Sequence, residues 1–218
     1  MYGGSMASTH TILMEDGAGY IGSHLVKNLS GGGGTVSSRL IICPRATEMQ
    51  WWAGNSSKRI LPTEGSSNGF FGGHDIGVVI HFASFIQVGE SAQESAKYYA
   101  NNMANTLNLL GAVVAHEVKR FIFFSSAAVY GEPLRVPIDE DHPKHPLNPY
   151  GRSKWIVEQI TADFDLAYGF KSVSLRYFNA AGADPEERLG ERHEPENHLV
   201  PLVNCKACVW LGAALSGA

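Results

Sequence analysis

The sequence has few cysteines and no long apolar run, and both absences limit what the chain can be. It contains three cysteines in 218 residues, too few for the disulfide framework that stabilises small secreted domains. No apolar stretch reaches the roughly 20 residues that a membrane-spanning helix needs. The first residues lack the pattern of a secretory signal, so we expect a cytoplasmic protein with a flexible extension over residues 1–10.

An excess of charge of one sign is also missing. The formal net charge is −4, and no basic cluster is interleaved with aromatic residues. Nucleic acid and anionic membrane surfaces are therefore not expected as partners. With 44% hydrophobic residues, the chain can bury a core without disulfides, as a soluble globular domain does.

Cys205 and Cys208 form a single CxxC, with His193 and His198 nearby. A zinc site ordinarily brings a second pair of ligands at a set spacing. We therefore expect these thiols to be small core residues of a helix, and we expect no metal.

A glycine-rich turn follows the first predicted strand. Thr11 to Met14 reads as a short strand, and Gly17 to Leu25 reads as a turn that opens a helix. Glycines let backbone N–H groups approach a phosphate at the positive end of a helix. A dinucleotide is the natural ligand of such a βα unit, which belongs to a doubly wound parallel α/β sheet.

Tyr150 and Lys154 lie four residues apart and so share one face of a helix. Asn148 as N-cap and Pro149 at the first helical position predict where that helix begins. An ammonium close to a phenol lowers its pKa from about 10 and favours its use as a base. Taken alone, such a pair is more often a packed ring beside a solvated charge.

A second motif favours the catalytic interpretation of this pair. Residues 121–126 form an apolar run of β type that ends in two hydroxyls, Ser125 and Ser126. Ligands of parallel α/β sheets bind beyond such strand ends. The sequence therefore predicts a ligand-binding site at the end of this strand.

The motifs together resemble the extended short-chain dehydrogenase/reductase family, and within it the UDP-glucose (UDP-galactose) 4-epimerases. The resemblance covers residues 10–28 and 74–203. It depends on segments that recur in the family's order, namely Gly17–Leu25, His74–Ala83, Val88–Ser91, Tyr98–Asn102, Ser125–Gly131, Asn148–Lys154 and Arg176–Asn179.

The resemblance implies a Rossmann-like NAD-binding domain over residues 11–178, poorly matched at 31–73, and the start of a substrate-binding region over residues 179–218. It implies that Ser126, Tyr150 and Lys154 are catalytic. The residues that it places at NAD are Gly19, Tyr20, Ile21, Gly22, Phe82, Ala83, Ser84, Asn101, Tyr150, Lys154, Tyr177 and Phe178. The residues that it places at a UDP-sugar are Ser126, Asn179, His198 and Leu199.

The implied reaction interconverts UDP-glucose and UDP-galactose through a 4-keto sugar, with Tyr150 taking the 4-OH proton and NAD taking the hydride. Related dehydratases carry an Asp-Glu pair where this chain has Ala127 and Ala128, so dehydration is disfavoured. A non-catalytic NAD-binding module and a related nucleotide-sugar dehydrogenase or decarboxylase stay open as alternatives. The resemblance ends at Val203, and activity of a chain truncated there is a separate question from its family.

The resemblance also implies a homodimer. Its interface would use the helix of Tyr150 together with a long helix predicted from about Glu94 to Glu117. That second helix carries more apolar surface than one sheet face needs, contributed by Leu107, Leu109, Leu110, Val113 and Val114.

Several positions depart from the family's pattern. Glu15 and Asp16 stand where the family has Thr-Gly, and Ile86 replaces a lysine that contacts the cofactor. At Asp16 a Cβ and a negative charge enter a tight turn, so we expect weaker NAD binding. The family's ribose-binding aspartate is absent, and Pro44 predicts that the second strand ends at Cys43.

Overall fold

The computed structural model describes residues 11–31, 40–43, 71, 74–191 and 200–204. Within these residues strands and helices alternate along the chain. The strands are β1 (Thr11–Glu15), β2 (Leu40–Cys43), β3 (Ile76–His81), β4 (Arg120–Ser126) and β5 (Lys171–Tyr177). The helices are α1 (Tyr20–Gly31), α2 (Val88–Gln93), α3 (Ser95–Tyr99), α4 (Asn105–Ala115) and α5 (Pro149–Tyr168). The extension expected over residues 1–10 lies outside the described residues.

The five described strands form one sheet in the order β2-β1-β3-β4-β5, and every neighbouring pair is parallel. The strand order reverses between β1 and β3, because β2 lies on one side of β1 and β3 on the other. Parallel α/β sheets bind ligands beyond the carboxyl ends of their strands at such a reversal. The Rossmann-like α/β fold and the end of β2 at Cys43 are therefore confirmed.

Alternation of side chains along the strands gives the sheet two apolar faces. Leu13, Val79 and Phe121 belong to one core cluster, which includes residues of α4 and α5. Met14 and Ile80 belong to the other, against which α1 packs. The sheet thus lies between α4 and α5 on one face and α1 on the other, as a doubly wound fold requires.

Helix α5 begins where the sequence predicts. The side chain of Asn148 accepts a hydrogen bond from Gly151 N at 2.8 Å, and Pro149 follows it. The apolar residues Trp155, Ile156, Ile160 and Phe164 predict the face of α5 that meets the core. Ile160 and Phe164 pack against the core as predicted, but Trp155 and Ile156 are half-buried while Val157 is fully buried. The buried face is set by the side chains that meet the sheet, which the apolar run of the sequence does not specify.

The long helix predicted over 94–117 is present but changes its winding. A π-helical stretch, Ala100–Ala104, separates α3 from α4. The apolar residues proposed for a dimer interface largely lie in the chain's own core: Leu109, Leu110 and Val113 are 2%, 0% and 0% exposed. The prediction that these three residues contact a partner is wrong, because they pack against the chain's own sheet.

A buried polar chain connects the centre of the sheet to this helix. The carboxylate of Glu15 contacts His81 Nδ1, and His81 Nε2 lies 2.9 Å from the hydroxyl of Thr106. That hydroxyl gives its one proton to the carbonyl of Asn102 at 2.8 Å, so it accepts from the imidazole. The contacts link the ends of β1 and β3 to the π-helical stretch.

The chain divides into two compact units, with the boundary between Tyr177 and Phe178. In the second unit, Asp184 N donates to the carbonyl of Leu189 at 2.9 Å, and residues 200–204 are helical. No helix in the described parts of the chain is long and apolar enough to cross a bilayer.

Close contact of α5 with the turn after β4 requires a glycine. A Cβ at Gly151 would lie 2.6 Å from the carbonyl oxygen of Ala128, whereas one at Gly111 in α4 meets nothing within 4 Å. We expect Gly151→Ala to reduce the free energy of unfolding by about 1 to 3 kcal/mol, because backbone must move. Gly111→Ala should raise it by up to about 1 kcal/mol through helix propensity. Urea denaturation of both variants checks this, and equal effects would contradict the close contact.

Candidate active site

The predicted catalytic side chains meet at the carboxyl edge of the sheet. Ser126 ends β4 and pairs in register with Tyr177 at the end of β5, and a 3₁₀ turn, Ala127–Val129, follows. Helix α5 begins beside this turn, which brings Tyr150 in its first turn close to Ser126.

Tyr150 is buried, with 9% of its surface exposed. Burial raises the pKa of its phenol above the ordinary value of 10, and a hydrogen bond with the side chain of Ser126 opposes that rise. Ser126 Oγ also accepts from Ala128 N at 3.2 Å, which fixes its orientation. The two hydroxyls therefore form a preorganised pair that can hydrogen-bond a single substrate oxygen.

Lys154 lies one turn further along α5 and is 3% exposed. Its Nζ donates to the carbonyl of Phe124 at 2.7 Å and lies 4.8 Å from the ring centroid of Phe123 and 6.0 Å from that of Tyr150. The ammonium thus lies near the ring of Tyr150, on the same face of α5. The expected lowering of the pKa of Tyr150 is wrong for the protein without a cofactor, because burial outweighs other effects.

The glycine turn between β1 and α1 is tight around Asp16. Asp16 has the left-handed φ of 60°, and its carbonyl accepts from Gly19 N at 3.0 Å. A Cβ at Gly22 would lie 2.4 Å from that carbonyl oxygen, so the start of α1 approaches β1 as closely as a phosphate-binding turn requires. Ile21 packs on the core behind the turn, and Tyr20 stands edge-on to the ring of His24.

Aromatic rings form an apolar wall at the ends of β3, β4 and β5. The ring centroids of Phe82 and Phe124 lie 3.8 Å apart. Phe124 also stacks on the ring of Tyr177, with 4.9 Å between the centroids. Ala83 and Ser84 follow Phe82 and are buried. The three residues after β3 therefore lie at the strand ends, as the sequence predicts for cofactor contacts.

Asn102, which sequence reasoning did not select, holds the site's elements together. Its amide accepts from Phe85 N at 2.8 Å and donates to Phe85 O at 3.0 Å and to Ser153 Oγ at 3.3 Å. The predicted cofactor residue Asn101 donates to the same amide oxygen at 2.8 Å. Asn102 thus joins the loop after β3 to α5. The one feature of the sequence that could have indicated this role is an amide side chain next to apolar positions of a helix.

Glu158 is a second residue that sequence reasoning missed. Its buried carboxylate accepts from Ser125 Oγ and, at 2.7 Å, from Arg176 Nη2. The same guanidinium donates to the hydroxyl of Tyr130 at 2.8 Å, and the carboxylate raises the pKa of Arg176. One side chain of α5 therefore binds both β4 and β5 next to Ser126.

The predicted substrate and cofactor residues beyond Tyr177 belong to the second unit. Phe178 and Asn179 are both exposed. His198 and Leu199, and the CxxC of Cys205 and Cys208, lie outside the described residues. Among the residues that the structure describes, no group of three or more potential ligands could hold a metal ion.

A parallel sheet with a glycine turn at its strand reversal and a Ser-Tyr-Lys set at the next strand end is the arrangement of a nucleotide-cofactor enzyme. Residues 13–208 match the model of the NAD dependent epimerase/dehydratase family. The chain belongs to this family.

Relatives and solved structures agree with this assignment. The chain is 44% identical over 193 residues to a UDP-glucose 4-epimerase of Rhizobium meliloti, covering 88% of this chain and 58% of that one. It matches the UDP-glucose 4-epimerase from Brucella ovis in complex with NAD at 41% identity and a TM-score of 0.81, covering 88% and 59%. The Bifidobacterium longum enzyme in complex with NAD+ and UDP matches at 36% identity and a TM-score of 0.73, covering 83% and 57%. The chain therefore spans under three fifths of these proteins.

The buried pair of Glu158 and Arg176 should stabilise the fold measurably. Glu158→Gln leaves the guanidinium without a charged partner, and we expect a loss of about 3 kcal/mol in the free energy of unfolding. Asp165→Asn, on the same helix, breaks the exposed pair with Lys171 and should cost under about 1 kcal/mol. Urea denaturation compares the variants, and equal losses would contradict the role assigned to Glu158.

The hydrogen bond from Ser126 lowers the pKa of Tyr150 against the effect of burial. Ser126→Ala removes this opposition, so the phenol should titrate at a still higher pH. Phenolate absorbance, assigned to this residue by subtracting the titration of Tyr150→Phe, measures the shift. Ser172→Ala, at the other end of β5, is the control and should leave the titration unchanged; an unchanged titration in Ser126→Ala would argue against the pair.

Proposed function

We propose that the chain binds NAD and epimerises a UDP-sugar at C4 by oxidation to a 4-keto sugar and reduction on the opposite face. The observation that carries this proposal is the hydroxyl pair of Ser126 and Tyr150 beside the buried ammonium of Lys154 at the end of β4. Family membership and relatives called UDP-glucose 4-epimerases support it. Because the chain spans 58% of such a relative, activity of the chain itself is part of the proposal.

The shape of the turn fits a dinucleotide. The close approach at Gly22 and the missing side chain at Gly19 bring backbone to the positive end of α1, where the carboxylate of Asp16 also lies. The apolar wall of Phe82, Phe124 and Tyr177 gives a planar ring a surface to lie against. We propose that NAD is held by these elements, with residues Gly19 to Gly22 at the pyrophosphate.

The residues divide the work of the reaction. The chemistry that bound NAD would supply is the reversible transfer of a hydride at C4. Tyr150 takes the proton of the sugar 4-OH and gives it back to the other epimer, while Ser126 hydrogen-bonds the same oxygen. Lys154 stabilises the phenolate electrostatically, and its bond to Phe124 O keeps it in place. Asn179, His198 and Leu199 are proposed to contact the UDP-sugar.

The homodimer and the cytoplasmic location stay predictions. Size-exclusion chromatography with light scattering tests the dimer. The candidate interface is reduced by the burial of Leu109, Leu110 and Val113 in the chain's own core, which leaves the exposed Leu107 and the outer surface of α5.

The proposed mechanism depends on the phenol of Tyr150. Tyr150→Phe keeps the ring but removes the proton acceptor, so conversion of UDP-galactose to UDP-glucose should fall at least about a thousandfold. NAD binding, measured by calorimetry, should persist. Tyr168→Phe, at the exposed far end of α5, is the control and should keep full activity.

The same two measurements on the parent chain separate the remaining alternatives. NAD binding with turnover supports the epimerase, and NAD binding without turnover supports a non-catalytic dinucleotide-binding module. Accumulation of NADH with an oxidised or decarboxylated sugar product supports the related dehydrogenase or decarboxylase. If Tyr150→Phe converts UDP-galactose to UDP-glucose as fast as the parent chain, the proposed mechanism is wrong.

A further inference from the structure

The turn between β1 and α1 carries a negative charge where a dinucleotide-binding turn must accept one. A Cβ at Gly19 would lie 3.0 Å from Asp16 Oδ2 and 3.2 Å from Asp16 Cγ. The space that glycine leaves open at this position is therefore lined by the carboxylate of Asp16. In such turns the second glycine lets backbone approach the pyrophosphate.

Of the two carboxylates in this turn, Asp16 is the one that faces the start of α1. Glu15 is the last residue of β1, is 5% exposed, and contacts His81 inside the sheet. Asp16 follows it in the left-handed conformation, with φ of 60°. This conformation turns its carboxylate toward Gly19 at the positive end of the helix, where anions are stabilised.

The geometry points to Asp16 as an internal anion that competes with the pyrophosphate of NAD for the start of α1. This inference rests on the proposed function, because it concerns the affinity of the same site. Asp16 sets that affinity in two ways: its carboxylate occupies space at Gly19, and its charge repels the pyrophosphate. Asp16 is thus an affinity-determining residue without a part in the chemistry.

Two substitutions separate the charge from the space. Asp16→Asn keeps the size and the tolerance for a left-handed φ but removes the charge. Asp16→Gly removes both and suits the backbone conformation. Asp75→Asn removes the same charge from an exposed site just before β3, at the amino edge of the sheet, and is the matched control.

Calorimetric titration of the full chain with NAD is the primary experiment. We expect Asp16→Asn to lower Kd at least about fivefold and Asp16→Gly to lower it further, since a like charge at the start of α1 is removed. Asp75→Asn should match the parent. Raising the KCl concentration should shrink the ratio between the parent and Asp16→Asn, because salt screens repulsion; a purely structural role would leave that ratio unchanged.

Thermal unfolding with inorganic pyrophosphate distinguishes failure of this inference from failure of the proposed function. Equal Kd values for NAD in the parent, Asp16→Asn and Asp16→Gly would overturn the inference and leave NAD binding intact. Absence of NAD binding in all three would overturn the proposed function. In that case a larger stabilisation of Asp16→Asn than of the parent by pyrophosphate would still uphold the competition, and equal stabilisation would overturn it.

Discussion

The position of α5 over the end of β4 is the constraint on which the candidate site depends. Tyr150, Lys154 and Glu158 follow one another at four-residue intervals and so share a face of this helix. Lys154 donates to the carbonyl of Phe124, and Glu158 accepts from Ser125, so the helix is attached to both residues that precede Ser126. The hydroxyls of Ser126 and Tyr150 are therefore held together by contacts that Lys154 and Glu158 make one and two helical turns further along α5.

The same burial that orders the site raises the pKa of its phenol. Tyr150 is surrounded by protein, and burial disfavours its phenolate more than the bond with Ser126 supports it. The resting group is a neutral phenol at physiological pH. For the base proposed at Tyr150, a positive charge such as that of Lys154 would oppose this effect of burial.

Local signals predicted the elements and missed the contacts between them. The cap at Asn148 and the proline after Cys43 act within a few residues, so the start of α5 and the end of β2 could be located from sequence. Asn102 and Ser153 are 51 residues apart, and Ser125 and Glu158 are 33 apart. Such pairs depend on strand order and register, which periodicity does not give. For the same reason Leu110 was assigned to a partner although it lies in the core.

Adjacent departures from a family pattern can have opposite consequences, as Glu15 and Asp16 show. Glu15 ends a strand, and its register opposite His81 gives its carboxylate a partner inside the sheet. The next residue starts a turn, where the chain reverses direction and the side chain faces the helix start. Glu15 is paired within the sheet and so leaves the turn between β1 and α1 unchanged. Asp16 faces this turn and, in our proposal, repels an anion that binds there. Whether a departure from the family's sequence pattern affects the site therefore depends on where the strand register places the side chain.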